Sequence, residues 1–317
     1  MRVVVFGATG GQGIAQISAL RAANHHPIAV SRQPRTTSPP VETRVAELTD
    51  RPAVRAALSG AEAVLLNLPS FQPANFLYAA AKAIGAEAAA QSTLKLIVFN
   101  TSFPVPEKNV GIEAQEHRRE TRRILREALQ GSGVALVSIQ PGVFLDNLLE
   151  GWALPRLRDE VRIVYCHKPD LEVSWISLDN LALLMVAALA RDPADLDGRN
   201  IVVGGPETVK LSQLAEKLGR AWGREVGYEN QTVDQFSEEM AAALKSQMQS
   251  GKDLEVVVDE TRRAYTWYND AEEKPFKVDM TPVLEELKVS LTGIEDWGRL
   301  KGCPIQTKSD PGPVYCR

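Results

Sequence analysis

Seven residues near the start of the chain have the types and spacing that suit phosphate binding. They run Gly7-Ala8-Thr9-Gly10-Gly11-Gln12-Gly13, after the apolar run Val3 to Phe6 and before an amphipathic segment. Glycines permit a tight turn and let a pyrophosphate reach the N–H groups at a helix start. This context predicts a dinucleotide site, the alternative being a plain strand-to-helix turn. The expected contacts are Gly7, Thr9, Gly10, Gly11, Gln12 and Gly13.

The next polar residues bear on which dinucleotide would bind. Ser31-Arg32 ends the second predicted strand, where NAD-binding proteins usually place an acid on the ribose 2′-hydroxyl. An arginine there can instead pair with a 2′-phosphate, with Ser31 as a further donor and Arg35 as a second cation. The pattern favours NADP(H) over NAD(H), and a solvated surface arginine is the alternative.

Two further polar segments follow later predicted strands, Asn67-Leu68-Pro69 and Asn100-Thr101-Ser102-Phe103. Ligands of parallel sheets bind beyond the carboxyl ends of the strands. We therefore expect Asn67, Leu68, Pro69, Thr101, Ser102 and Phe103 to line the cofactor groove.

The elements that must position these residues alternate between short apolar runs and longer helical patterns. This order predicts an α/β fold, a Rossmann-type doubly wound parallel sheet with a smaller mixed α/β substrate lobe. We expect residues 1–150 to form the NAD(P)-binding domain, with a strand and a helix added by about 174–204, and 151–317 to form mainly the substrate lobe and a tail. The predicted strands are Val3–Phe6, Pro27–Ser31, Ala63–Asn67, Lys95–Asn100, Ala135–Gln140, Val161–Tyr165, Ser174–Ile176 and Ile201–Val203. The predicted helices are Gly13–Asn24, Ala53–Leu58, Phe76–Ala90, Ile112–Leu129, Asn180–Ala190 and Leu211–Leu218.

The composition excludes several classes of protein. The 317 residues are 44% hydrophobic and 24% charged, as in ordinary globular proteins, and a net charge of −4 without a basic face argues against nucleic acid. No segment is predicted to span a membrane or to act as a signal peptide, so we expect a cytoplasmic protein. The three cysteines lack metal-ligand spacing, and no metal site is predicted; Cys303 and Cys316 could pair, although free thiols are favoured.

From Gly7 to about Gly223 the sequence resembles the NmrA-like family of atypical short-chain dehydrogenases, with its isoflavone-reductase-like enzymes, quinone reductases and redox-sensing regulators. The match rests on the glycine loop and on separated pieces farther along. These are Gly131-Ser132-Gly133, Ser138 to Phe144 with Asn147, Trp175-Ile176-Ser177 with Asp179, Val203 to Glu207, and Leu211 to Ala215. A homodimer is expected by fold analogy only.

The resemblance implies further site residues. Gln140, Pro141, Phe144 and Asn147 would sit near the nicotinamide end, with Phe103, Phe144 and Asn147 toward the substrate. Ordinary hydrophobic packing is the alternative for Phe144. Glu47-Leu48 falls where relatives usually have Asp-Leu beside the adenine.

This chain departs from the resembled enzymes at the residues that transfer protons in them. No Tyr-x-x-x-Lys pair occurs, and Arg118 stands where the reductase branch has a lone lysine. A guanidinium stays protonated and can hold an oxyanion, but it is a poor base. His117 could act as a general acid, yet adjacent helical residues point about 100° apart, so it and Arg118 cannot both face one groove. Ser102, His117 and Arg118 are the catalytic candidates.

Three functions remain open from the sequence. The first is an NADPH-dependent reductase acting on a small conjugated or carbonyl compound, with the proton supplied by Ser102, His117 or water. The second is a non-catalytic NADP(H) sensor that signals to a partner protein through the charged helix predicted at Gln235 to Lys252 or through the tail. The third is an isomerase or epimerase, which ranks last because no clear acid and base pair is visible.

Overall fold

The computed structural model describes residues 1–34, 40–69, 72–150, 152–244 and 251–304. The strands in chain order are β1 Arg2–Phe6, β2 His26–Ser31, β3 Glu42–Val45, β4 Ala63–Asn67, β5 Leu96–Asn100, β6 Ala135–Pro141, β7 Arg162–Tyr165, β8 Asn200–Val203 and β9 Gly227–Asn230. The main sheet is seven-stranded and parallel, in the order β3-β2-β1-β4-β5-β6-β8. Its order reverses between β1 and β4, so the carboxyl ends of these strands open a crevice beside the glycine loop.

Helices cover both faces of this sheet. In chain order the helices are α1 Gly11–Ala22, α2 Arg51–Leu58, α3 Ala74–Ala89, α4 Glu113–Leu129, α5 Leu154–Glu160, α6 Leu178–Ala188, α7 Pro193–Leu196, α8 Leu211–Trp222, α9 Val233–Leu244, α10 Gly251–Asp270, α11 Thr281–Leu287 and α12 Ile294–Lys301, with a 3-10 helix at Leu145–Leu149. Helices α1 and α6 bury their apolar residues on one face, and α2, α3 and α4 bury theirs on the other. The predicted doubly wound α/β fold is confirmed.

The central strands β1, β4 and β5 form where the chain is almost entirely apolar. Residues of β1, β4 and β5 are almost all fully buried, because helices cover both sides of the sheet. Helix starts are fixed by local capping: the Asp50 side chain accepts from Ala53 N at 3.3 Å, and the Ser177 side chain accepts from Asn180 N at 3.0 Å.

A second, smaller apolar cluster is built from later segments. Strands β7 and β9 pair in parallel, and a group of aromatic side chains packs beside them. Trp175, 1% exposed, lies in this cluster with its ring centroid 5.1 Å from that of Tyr165. Trp175 thus packs in the interior of this cluster.

The strand predicted at Ser174–Ile176 is wrong. The segment makes only isolated bridges on its two sides, Phe144 with Ile176 and Val173 with Val209. Ser174 N donates instead to Phe276 O at 2.8 Å. Successive residues thus bond to different neighbours, and no ladder forms.

Most other predicted bounds moved by a residue or two, and α8 continues to Trp222, beyond the predicted end at Leu218. Helix α1 begins at Gly11 rather than Gly13, since Ile14 N already donates to Gly10 O at 2.9 Å. The short strand β3 was not predicted, because its residues alternate between partly buried and exposed. The charged helix predicted at Gln235 to Lys252 corresponds to α9 and the first residues of α10, and 245–250 lie outside the described residues.

In the described ranges, no helix is long and apolar enough to cross a membrane.

Candidate functional site

The glycine loop forms a close-packed turn between β1 and α1. Gly7 has φ +70°, and a Cβ there would lie 2.9 Å from Asn67 O. A Cβ on Gly13 would lie 2.3 Å from Gly7 O and 2.6 Å from Ala8 Cα. Both positions therefore require glycine for the fold itself.

Gly10 differs, because no atom of the described residues would clash with a side chain there. A Cβ there would meet only Gly7 O, at an ordinary 3.6 Å. Gly10 is the N-cap of α1, without a side-chain cap, and it is exposed together with Thr9 and Gly11. The first N–H groups of α1 have no helical acceptor, so the loop offers donors and open space where a pyrophosphate would lie.

Side-chain amides connect the carboxyl ends of β4 and β5 to α1. Gln16 Nε2 donates to Asn67 Oδ1 at 2.9 Å, and Asn67 Nδ2 donates to Gln16 Oε1 at 2.7 Å. Asn100 Nδ2 donates to Asn67 Oδ1 at 2.9 Å and also to Gln12 Oε1. Asn67 Nδ2 further donates to Phe6 O at 2.8 Å. We call Gln12, Gln16, Asn67 and Asn100 the amide network. The oxygen and the nitrogen of the Asn67 amide both have hydrogen-bond partners within the protein, so this amide holds the ends of β1 and β4 against α1.

The loop after β5 carries a strained backbone beside the groove. Ser102 has φ +69°, a left-handed conformation that side chains disfavour, and its N–H donates to Asn100 Oδ1 at 2.9 Å. The Thr101 hydroxyl points inward and donates to Phe103 O at 2.7 Å. Gln140 Oε1 accepts from Val105 N at 2.8 Å, so Gln140 anchors this loop to β6. Pro141, the last residue of β6, is buried next to it.

Arg118 is the most unusual charged residue of the groove. Its side chain is 2% exposed, and Nη2 donates to Leu68 O at 3.3 Å and Pro69 O at 3.2 Å. The guanidinium carbon lies 5.8 Å from the centre of the Phe103 ring. Nη1 is buried without a hydrogen-bond partner, and no carboxylate among the described residues pairs with Arg118. Burial lowers the pKa of Arg118 to about 10, which leaves it cationic at neutral pH.

His117 faces away from this cation. Its ring centroid lies 6.1 Å from that of Tyr78 on α3, and Nε2 is 3.4 Å from Glu113 Oε1 on its own helix. The structure thus brings Arg118, but not His117, to Leu68, Pro69 and Phe103. On the same helix, Arg119 is ion-paired with Glu116 and Arg123 with Glu120.

The opposite end of the groove holds the residues predicted for the adenosine. Arg32 is exposed and has no ion pair within the described part of the chain, while the Ser31 hydroxyl donates to Gln33 O at 2.6 Å. Glu47 is exposed, with Oε1 accepting from Leu48 N at 2.9 Å, and Leu48 is buried. Arg35 lies outside the described residues.

The residues predicted for the substrate are only partly accessible. Phe144 is 9% exposed and packs in the main core, whereas Asn147 is half-buried, with Nδ2 3.5 Å from the Tyr165 hydroxyl. Phe103 is half-buried against Arg118.

Of the cysteines, Cys166 and Cys303 are free thiols, and Cys316 is not among the described residues. The described residues contain no group of three or more potential ligands for a metal.

Comparison with known protein families gives one match that covers most of the chain. The model of the NmrA-like family matches residues 1–297. This chain belongs to the NmrA-like family. The resemblance predicted from the sequence is confirmed, and it extends beyond Gly223.

Three proteins illustrate the range of similarity to this NmrA-like chain. A (4-alkanoyl-5-oxo-2,5-dihydrofuran-3-yl)methyl phosphate reductase of Streptomyces griseus is 30% identical over 238 residues, which cover 73% of this chain and 78% of the relative. The NADPH-dependent quinone oxidoreductase QOR2 of Escherichia coli, solved with NADPH, shares the fold with a TM-score of 0.70 at 20% identity, covering 95% of this chain and 99% of that one. NmrA, a negative transcriptional regulator solved with NADP, has a TM-score of 0.71 at 16% identity and covers 94% of each chain.

Three buried residues of this NmrA-like protein were missed by the sequence analysis. Gln16 is fully buried in the amide network, and Gln115 is 1% exposed on α4 with Nε2 donating to the Tyr268 hydroxyl at 3.1 Å. A polar residue on the inward face of a helix is the signal that could have indicated both glutamines. Tyr268 lacked such a signal, because its partner is 153 positions away.

The left-handed backbone of Ser102 provides a stability prediction. We expect Ser102→Gly to raise the free energy of unfolding by about 1 kcal/mol, because glycine removes the Cβ penalty at φ +69°. Ser102→Ala retains that penalty and should leave stability within about 0.5 kcal/mol of the wild type. Urea denaturation of the three proteins measures the difference, and a less stable glycine variant would contradict it.

Proposed function

We propose that this chain is an NADPH-dependent reductase that acts on a small conjugated or carbonyl compound. The observation that carries the proposal is the Arg118 cation, buried without a carboxylate partner at the carboxyl edge of the sheet. Arg118 donates to backbone carbonyls just after β4, the strand that pairs with β1, and β1 leads into the glycine loop. We further propose that residues 1–150 with 174–204 hold the cofactor and that 151–317 shape the substrate side, with a homodimer as the expected assembly.

The glycine loop fits a dinucleotide. Gly10 leaves room for a pyrophosphate, the start of α1 offers free N–H groups, and the exposed Arg32 is available for a 2′-phosphate. Leu48 and Glu47 would border the adenine, and Leu68, Pro69 and Arg118 would border the nicotinamide half. When bound, NADPH supplies a hydride equivalent at its nicotinamide ring.

Arg118 would hold the substrate oxygen. Nη2 is fixed by two backbone carbonyls, so Nη1 is oriented in advance and has no protein acceptor to lose. A carbonyl oxygen bound there gains negative charge as the substrate is reduced, and a buried cation stabilises that charge more strongly than water does. The substrate named for the Streptomyces griseus relative carries an alkanoyl group, an oxo group and a phosphate, which supports an oxygen-rich, electron-poor acceptor here as well.

A redox sensor remains the second candidate. Two observations favour it: an arginine stands where the reductases have a proton-handling lysine, and His117 faces Tyr78 rather than the groove. The test is to mix the purified protein with NADPH and a panel of quinones, enones and cationic dyes while following the absorbance of the reduced cofactor. Turnover of at least one acceptor is expected. Tight NADPH binding with turnover of none would favour the sensor.

The choice of cofactor gives a second prediction. We expect Arg32→Ala to weaken NADPH binding about 10- to 100-fold and to leave NADH binding nearly unchanged, since charge-assisted bonds to the 2′-phosphate contribute about 1.5–3 kcal/mol. Titration of intrinsic fluorescence with each cofactor measures both affinities. Gln33→Ala changes an exposed neighbour and serves as the control. Equal losses for NADPH and NADH would show that Arg32 does not contact the 2′-phosphate.

A further inference from the structure

We propose that Tyr268 of α10 is the proton donor of the reductive reaction. This proposal rests on the reductase function proposed above. It assigns to a distant helix the hydroxyl that a Tyr-x-x-x-Lys pair would otherwise supply.

The Tyr268 hydroxyl lies beside the turn of α4 that precedes Arg118. In a Tyr-x-x-x-Lys pair the tyrosine precedes the lysine by four residues, and four residues before Arg118 stands Ala114, which has no hydroxyl. The neighbouring Gln115 lies on the same turn of α4, and its Nε2 donates to the Tyr268 hydroxyl at 3.1 Å. A phenol from α10 therefore reaches the turn at which the motif would place its own.

Contacts on both sides hold Tyr268 in place. The Glu260 carboxylate on α10 accepts from Glu113 N at 3.0 Å and from Ala114 N at 3.4 Å, so α10 caps the start of α4. On the other side, the Tyr268 ring centroid lies 4.3 Å from that of Phe276. Phe276 Cδ1 in turn lies 4.0 Å from the position of a Cβ on Gly142, just after β6. Tyr268 thus lies between α4 and the carboxyl end of β6, at the edge where substrate is expected.

The Tyr268 hydroxyl is free to donate its proton to a ligand. The hydroxyl oxygen accepts from Gln115, and no acceptor for its O–H occurs among the described residues. Three other polar atoms on the same face of α4 are buried without partners among the described residues: Gln115 Oε1, Arg118 Nη1 and, one turn farther along, Arg122 Nη1. A bound carbonyl compound could accept from both Tyr268 and Arg118. Tyr268 is 6% exposed, and burial raises the pKa of its hydroxyl to about 12, so the group is protonated at neutral pH.

The proposed step balances as follows for an enone or a quinone. A hydride equivalent, two electrons with a proton, forms a C–H bond at the electron-poor carbon of the substrate, and the π electrons move to its carbonyl oxygen. The Tyr268 O–H bond breaks and its proton goes to that oxyanion, which Arg118 holds meanwhile. The substrate gains two electrons, the nicotinamide loses two, and solvent returns a proton to the phenolate.

The first test needs neither turnover nor NADPH. The push-pull enal 4-dimethylaminocinnamaldehyde absorbs at longer wavelength when its carbonyl accepts strong hydrogen bonds, so binding to the cofactor-free protein should shift its spectrum to the red. We expect Tyr268→Phe to remove a large part of that shift. Tyr265→Phe is the matched control, because this tyrosine lies one turn away on α10 and its hydroxyl is bonded to that of Tyr165 at 3.1 Å. An unchanged shift in Tyr268→Phe would overturn the proposal.

The second test compares acceptors that differ in their need for a proton. An enone requires one, whereas a cationic triarylmethane dye becomes neutral on accepting hydride and requires none. Tyr268→Phe should lower kcat for the enone about 100-fold or more and change dye reduction less than about 3-fold. Equal losses for both acceptors would indicate a structural role, and a loss in Ser102→Ala instead would identify Ser102 as the donor; either result overturns the proposal. If the wild type reduces no acceptor, the proposed function fails, and the spectral shift still decides whether Tyr268 contacts a carbonyl.

Discussion

Replacing Arg118 by methionine should greatly slow turnover and at the same time make the protein more stable. The guanidinium is 2% exposed and has no carboxylate partner among the described residues, so the fold bears the cost of an uncompensated buried charge. Methionine fills a similar volume without that charge. After the loss of the two bonds to Leu68 O and Pro69 O, we expect a net gain of about 1–2 kcal/mol in the free energy of unfolding. The loss of oxyanion stabilisation should lower kcat about 100- to 1,000-fold.

The matched control is Arg119→Met on the same helix. Arg119 is ion-paired with Glu116 and donates to Pro106 O at 3.1 Å and Lys108 O at 2.9 Å, so its role is to fix the loop after β5. Its loss should lower stability and spare most of the turnover. Thermal melting and NADPH oxidation on both variants separate the two roles. An Arg118→Met protein that melts at a lower temperature and remains active would show that the cation is structural.

Two substitutions in the glycine loop should have opposite outcomes, one a loss of NADPH affinity and the other a loss of stability. Gly10→Ala should fold with nearly wild-type stability, because the added methyl meets only Gly7 O at 3.6 Å. The same methyl projects into the space proposed for the pyrophosphate, and we expect NADPH affinity to fall about 100-fold, or about 2.7 kcal/mol. Isothermal titration measures the affinity.

Gly13→Ala should instead damage the fold. Its methyl would come within 2.3 Å of Gly7 O and 2.6 Å of Ala8 Cα, so α1 must move away from β1. Such overpacking costs about 1–3 kcal/mol, which denaturant melts would detect. If Gly10→Ala binds NADPH as tightly as the wild type, the dinucleotide does not approach the loop at this residue.

Apart from β3, the strands of the main sheet were predictable from local sequence, because they are short apolar runs bounded by turns. The strand Ala63–Asn67 has the predicted bounds, and the glycine loop lies between β1 and α1 as predicted. Ser174–Ile176 is equally apolar in part, but whether such a run joins a ladder depends on neighbours contributed by residues 143, 209 and 276. Sequence patterns do not carry that information.

The candidate site was less predictable than the sheet, because its contacts join residues that are far apart in the sequence. The position of Arg118 was expected, whereas its lack of a counterion is a property of everything packed around it. The amide network needs Gln16 to meet Asn67, 51 positions away, and Tyr268 meets Gln115 across 153 positions. Contacts between residues that only tertiary packing brings together produce no periodic pattern in the sequence.

The amide network also has an electrostatic consequence for the floor of the groove. Asn67 and Asn100 end two adjacent strands at the crevice, and both are satisfied by Gln12 and Gln16 without a formal charge. A diphosphate in the proposed position would therefore meet no like-charge repulsion from these side chains, whose dipoles are held in one orientation by hydrogen bonds. The groove floor is a rigid, neutral spacer between two cations, Arg32 toward one end and Arg118 toward the other. A ligand with negative charge near both of its ends would be aligned along it.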